Sequence, residues 1–256
     1  MARTRDVIII ILTVLIVGGT FLAGMITGKY TNGSTEEEEV FERVIIEGER
    51  IRNAKFVAVD NFGQGVSGDL TTEIKPGKGL VLVNINDVLA DVNLQYSARL
   101  AKQVAKNVTK KDLNFTDIIF NLEIDAGFIS GQSAGSTMAT SLIAAILDKE
   151  LREDVVLTGS ILADGTVDKA GSIKQKAEAA KEMNATLFLI PTGAIEESNE
   201  YKREKKCGAY ENTVYCRIDT IEEHIDINED FPIQVIEVSR IEEVMEALFI
   251  DNEIQT

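Results

Sequence analysis

Between residues 53 and 250 the hydrophobic period of the chain changes repeatedly, and this constrains the fold more than any other feature. Strand-like runs come first: Lys55–Asn61, then Gly65–Ile74 and Gly79–Asn84 joined by the turn Lys75-Pro76-Gly77-Lys78. Asp91–Val108 places Val92, Tyr96, Leu100 and Val104 at helical spacing. From there the types alternate. Asp117–Ile124 reads as a strand, Ala134–Leu147 as a helix, Val155–Leu162 as a strand and Ile173–Met183 as a helix. Thr186–Ile190 reads as a strand ending at Pro191, Glu196–Lys206 as a polar helix, Ile233–Val238 as a strand and Ile241–Phe249 as a helix. Hairpins followed by β/α units predict an α+β domain rather than a strictly doubly wound sheet. No internal repeat is present.

The first 52 residues are a different material. Residues 7–27 carry no charge and are apolar all the way round, close to the ~20 residues that cross a bilayer core. Arg3 and Arg5 precede them, and the acidic run Glu36–Glu39 follows. This predicts a transmembrane signal anchor over 7–28, with residues 1–6 cytoplasmic and the rest outside. A cleaved signal peptide is the rival reading, but its apolar core is shorter, about 7–15 residues, and ends in a small-x-small site that this chain lacks. Residues 29–52 read as an acidic stalk, 53–250 as the folded domain and 251–256 as a tail. The expected protein is single-pass in the cell membrane, with the membrane as a partner and its domain extracytoplasmic.

Composition then removes whole classes of function. With 26 Lys+Arg against 42 Asp+Glu the net charge is −16, so no basic face is available for nucleic acid. One histidine, His224, and two cysteines leave a structural zinc site without ligands, and no metal or cofactor is expected. Cys207 and Cys216 bracket the polar stretch 208–215 and read either as a short loop disulfide or as two unrelated thiols; an outside location favours the disulfide. Asn32, Asn107, Asn114 and Asn184 head N-x-S/T triplets, each a weak glycosylation signal.

The segment Gly131-Gln132-Ser133-Ala134-Gly135-Ser136 follows a strand and a Gly-containing loop and opens a helix. A serine on such a turn sits beside free backbone N–H groups and the positive end of a helix dipole, as a nucleophile beside an oxyanion hole requires. The plain alternative is that Ser133 or Ser130 is only a helix cap. With histidine nearly absent, a base has to be a lysine whose pKa is lowered by burial. Lys176 is a candidate because Ala177, Ala179 and Ala180 follow it and permit close approach, although solvated helix lysines are the default.

Taken together, Gly131-x-Ser133-Ala134-Gly135, the run Asp154-Val-Val-Leu-Thr158-Gly159 and the run Gly165 to Gly171-Ser-Ile-Lys174-Gln-Lys176 resemble the proteolytic domain of Lon proteases. The similarity extends over roughly 53–250, including the Pro76-Gly77-Lys78-Gly79 turn and Thr186–Pro191. The resemblance implies Ser133 as nucleophile, Lys176 as general base and Thr158 as the lysine's hydrogen-bond partner. It implies an oxyanion hole from backbone N–H groups at the helix start, with Gly131 and Ala134 in support. It also implies a homo-oligomeric ring, often a hexamer. Departures are visible. Gln132 stands where the family usually has Pro, Ser130 where it often has Asp, Ser160 for Glu, Ser172 for the second Gly of the lysine motif and Gln175 for Glu. The stretch 191–231 with the cysteine pair is atypical, and no G-x-x-x-x-G-K-[ST] occurs in the chain.

The expected function is therefore a membrane-anchored, ATP-independent Ser–Lys endopeptidase acting on unstructured or misfolded protein segments. The alternative is a catalytically inactive Lon-like fold serving as a membrane-tethered scaffold.

Overall fold

The computed structural model describes residues 41–84, 89–129, 132–195, 200–210, 213–223 and 233–250. A two-residue strand β1 (Glu42–Arg43) leads into β2 (Arg50–Val59) and β3 (Gly65–Pro76), an antiparallel hairpin. Its turn is tied by Asp60, whose carboxylate accepts the N–H groups of Phe62 (2.9 Å) and Gln64 (2.8 Å). The fold begins within the expected stalk: Ile46 is already buried in the core, and β2 starts at Arg50.

The strand β4 (Val81–Asn84) does not form a hairpin with β3, as the Lys75–Lys78 turn predicts. After β5 (Leu89–Ala90), helix α1 (Val92–Thr109) and β6 (Lys111–Asp112), the chain inserts β7 (Thr116–Ile124) between them. β7 runs antiparallel to β3 and parallel to β4. The reason is local. The Asp117 carboxylate accepts the N–H groups of Lys78 (2.7 Å) and Leu80 (2.9 Å), and Gly77 N–H donates to the Phe115 carbonyl (2.8 Å), so the turn is bonded to the start of β7.

A two-residue strand β8 (Phe128–Ile129) pairs with β5, and helix α2 (Gly135–Leu147) follows. Next come β9 (Val155–Leu157), β10 (Ser160–Ile161), β11 (Val167–Asp168), helix α3 (Ile173–Glu182) and β12 (Leu187–Pro191). The hairpin β13 (Glu200–Tyr210) and β14 (Thr213–Glu223) precedes β15 (Gln234–Val238) and helix α4 (Ile241–Leu248). The main sheet has seven strands in the order β15-β12-β9-β2-β3-β7-β4. Its β2–β9–β12–β15 half is parallel.

Alternation along the central strands fills two cores. Phe56, Val155, Leu157, Leu187 and Leu189 join the larger one with α1, α2 and α4, whereas Val57, Val156, Phe188 and Ile190 join a smaller one with α3. Burial on both faces explains the continuous apolar runs Val155–Leu157 and Leu187–Ile190. Every residue of α2 from Gly135 to Ile146 is buried between α1 and the sheet.

Two further expectations change. The single strand Val155–Leu162 is broken at Thr158-Gly159, and β10 turns away to pair with β11. Glu196–Lys206 is not a helix where it is described: Glu200–Tyr210 is a strand paired along its length with β14. Its charges do not form an apolar helical stripe, and Cys207 lies directly opposite Cys216, with which it forms a disulfide.

The α+β class stands, but its expected transmembrane helix is a correction. Residues 7–28 lie outside the described residues, and among the described residues no helix is long and apolar enough to cross a membrane.

Candidate active site

The parallel strands β9 and β12 end side by side, and Thr158 N–H donates to the Leu189 carbonyl at 3.0 Å. The next residue, Gly159, holds the start of α2. Its N–H donates to the Ser133 carbonyl (2.9 Å), and its carbonyl accepts both the N–H (3.0 Å) and the hydroxyl (2.7 Å) of Ser136. The Thr137 hydroxyl donates to the Leu157 carbonyl at 3.1 Å. The Ser133–Thr137 turn is thus bonded along the chain from Leu157 to Gly159.

The same short segment receives Lys176. Its Nζ donates to the fully buried Thr158 hydroxyl at 3.1 Å. Ser133, half-buried, is bonded through its carbonyl to Gly159, and Lys176, only 4% exposed, through its amine to Thr158. The fold therefore brings the two candidate residues to two adjacent positions of one backbone segment.

The helix cap is Ala134, which makes no side-chain capping bond, so capping is not the duty of Ser133. Gly135 N–H donates to the Gln132 carbonyl (2.9 Å) and Ser136 N–H to the Gly159 carbonyl; the Ser133 and Ala134 N–H groups, which have no acceptor among the described residues, are the candidate oxyanion donors. Gly131 and Ser130 lie outside the described residues. Gln132 reaches Asn93 on α1 through its Nε2 at 3.4 Å, bracing the serine turn from the side.

Lys176 has no ion pair among the described residues. Burial alone pushes its pKa down from 10.5 to about 8. A fraction of the amine is then neutral near neutral pH, as a base requires. Ser172, at the cap of α3, has φ 58°, in the left-handed region, and its carbonyl accepts Lys176 N–H at 3.1 Å. A side chain there costs about 1–2 kcal/mol. Ser172→Gly is expected to raise stability by about 0.5–1 kcal/mol, after the greater unfolded-state entropy of glycine is deducted. Chemical denaturation checks this, and a stability loss would show that the Ser172 conformation is not strained.

The remaining candidates are scattered. Asn107 lies in α1, its Nδ2 donating to the Ala163 carbonyl at 3.3 Å, so the acceptor nitrogen is engaged in the fold. Asn114 and Asn184 are exposed, Asn184 with φ 58°, and Asn32 lies outside the described residues. Sequence reasoning gave no role to Gly159, Ser136 or Thr137. The available signal was Ser136 three positions after Ser133, on the first turn of a helix that must dock against the Thr158-Gly159 break.

Residues 68–227 match the profile of the Lon protease (S16) C-terminal proteolytic domain. The chain belongs to this family. The family is one of serine-type endopeptidases of the Ser–Lys dyad kind. It is 31% identical over 144 residues to Lon protease homolog 4, chloroplastic/mitochondrial, of Arabidopsis thaliana, covering 54% of this chain and 15% of that protein. It is 34% identical over 141 residues to Lon protease 1 of Syntrophobacter fumaroxidans, covering 53% and 17%. With the archaeal Lon protease of Pyrococcus abyssi it shares 24% identity over 224 residues, covering 85% and 19%. The chain thus spans under a quarter of the length of these Lon proteases. They are named for chloroplast and mitochondrion, as archaeal, or simply as Lon protease, and none is named for a membrane. The membrane-anchored form, the membrane as partner and the extracytoplasmic placement expected from residues 7–28 are corrected accordingly and take no part in the functional reading.

Proposed function

We propose that the site hydrolyses peptide bonds of extended protein segments, with Ser133 as nucleophile and Lys176 as general base. The neutral Lys176 amine takes the proton of the Ser133 hydroxyl as its oxygen attacks the substrate carbonyl. The oxyanion forms at the start of α2, facing the Ser133 and Ala134 N–H groups. Lys176 returns the proton to the leaving amine, an acyl-enzyme remains on Ser133, and water releases it by the same route. Thr158 keeps the amine oriented throughout. The observation that carries this reading is a buried lysine with no acidic partner among the described residues, bonded to the residue next to the one that holds the serine.

The test combines one variant and one titration. Ser133→Ala is expected to lower casein hydrolysis by several powers of ten, since loss of a serine nucleophile in a comparable peptidase costs about 10⁶-fold in kcat. The wild-type kcat/KM should rise with pH along a limb centred at about 8. Activity undiminished in Ser133→Ala, or a rate that does not change between pH 6 and pH 9, would remove the dyad assignment.

A further inference from the structure

Gly65 opens β3, and its φ is not in the left-handed region, so the backbone there accepts any residue. What excludes a side chain is space. A Cβ on Gly65 would lie 1.8 Å from the Gln175 carbonyl oxygen, 2.6 Å from the Gln175 carbonyl carbon and 3.3 Å from the Ala179 Cβ. The first two are backbone atoms of α3 and cannot rotate away. Gln175 directly precedes Lys176, so that carbonyl belongs to the peptide bond that carries the Lys176 N–H. Ala177, Ala179 and Ala180 pack into the smaller core with Val57, Val156 and Phe188. The helix is seated on the sheet by that core and by the start of β3.

We propose that Gly65 is a positioning residue for the general base: its missing side chain lets β3 seat against the Gln175 carbonyl and fixes where α3 holds Lys176 against Thr158. The inference rests on Lys176 being the base. Any side chain at 65 has to push α3 outward by more than an ångström to reach ordinary contact distance, and it does so at the one turn where the amine is placed. Gly63, two residues earlier in the same hairpin, is the natural contrast. It has φ +82°, and a Cβ there meets nothing within 4 Å. Substitution at 63 strains the turn without pressing on the helix.

The experiment compares Gly65→Ala, Gly63→Ala and Lys176→Met by casein hydrolysis across pH and by thermal melting. Gly65→Ala is expected to lower kcat by about a hundredfold with KM little changed, the scale of a misplacement of about 1 Å. Its pH–rate midpoint should rise by about one unit, because a displaced amine regains water. Gly63→Ala should lower Tm yet keep the wild-type midpoint. Should Gly65→Ala not fold, Ala179→Val presses on the same contact from the helix side and is expected to raise the midpoint likewise. An unchanged kcat and midpoint in Gly65→Ala, or an unchanged midpoint in Ala179→Val when that variant has to decide, overturns the positioning role while Lys176→Met remains inactive. Activity in Lys176→Met would instead overturn the dyad itself.

Discussion

Lys176→Met is expected to abolish peptide hydrolysis and, at pH 7, to remove a large burden from folding. Methionine has a similar length and no charge, so it fills the same buried space. The wild-type lysine is pushed from 10.5 to about 8 by burial, which corresponds to about 3 kcal/mol at about 1.4 kcal/mol per unit. Below pH 8 the amine is charged in the folded and unfolded states alike, and the folded state bears that cost. Between pH 8 and 10.5 the unfolded state binds more protons than the folded one, so wild-type stability from this group rises with pH. Losing the lysine also leaves the Thr158 hydroxyl without its partner, an offset of about 1–3 kcal/mol. The sign of the pH dependence survives that offset. The stability of Lys176→Met relative to wild type should be more favourable at pH 7 than at pH 9.5 by about 2 kcal/mol, read by urea denaturation at both values. A difference that does not vary with pH would mean that the lysine is not held charged in a dry site. An inactive scaffold has no use for such a group, which is the physical reason for preferring the peptidase reading.

How much of this was legible in the sequence depends on whether the cause was local. Helix α1 was legible because Asp91 caps it, accepting the N–H groups of Asn93 and Leu94 at 3.0 and 3.3 Å, and its apolar spacing is regular. The Ser133 and Lys176 motifs stood out as resemblance, and the fold joins them through Thr158 and Gly159. The strand order was not legible. Whether β4 pairs with β3 or with β7 depends on Asp117, about 40 residues from the turn it binds, and no period in the sequence carries that information. The Glu200–Tyr210 segment misled for the opposite reason: its polar residues suit an exposed helix as well as an exposed strand, and pairing with β14 decided between them. The role of Gly65 was invisible because the atom that forbids a side chain belongs to a helix more than a hundred residues later.

Gly159→Ala is expected to damage stability and catalysis together, because this residue is where the two halves of the site meet. Its φ of +153° lies in a region that L-residues rarely adopt. Holding alanine there costs of order 1–3 kcal/mol. The added Cβ would also stand 2.7 Å from Val167 Cγ1, 3.2 Å from Pro191 Cγ and 3.3 Å from the Asp168 carbonyl oxygen, so β11 and the end of β12 have to yield. Overpacking of that kind adds about 1–3 kcal/mol. Relief that rotates the 158–159 peptide moves the N–H bonded to the Ser133 carbonyl and, with it, the neighbouring Thr158 that holds Lys176. On that route kcat should fall by about a hundredfold even in the fraction that is folded. Thermal melting and casein hydrolysis on the same preparation measure the two effects. A variant that loses several degrees of Tm but retains wild-type kcat would show that the serine and the lysine are held by elements other than this segment.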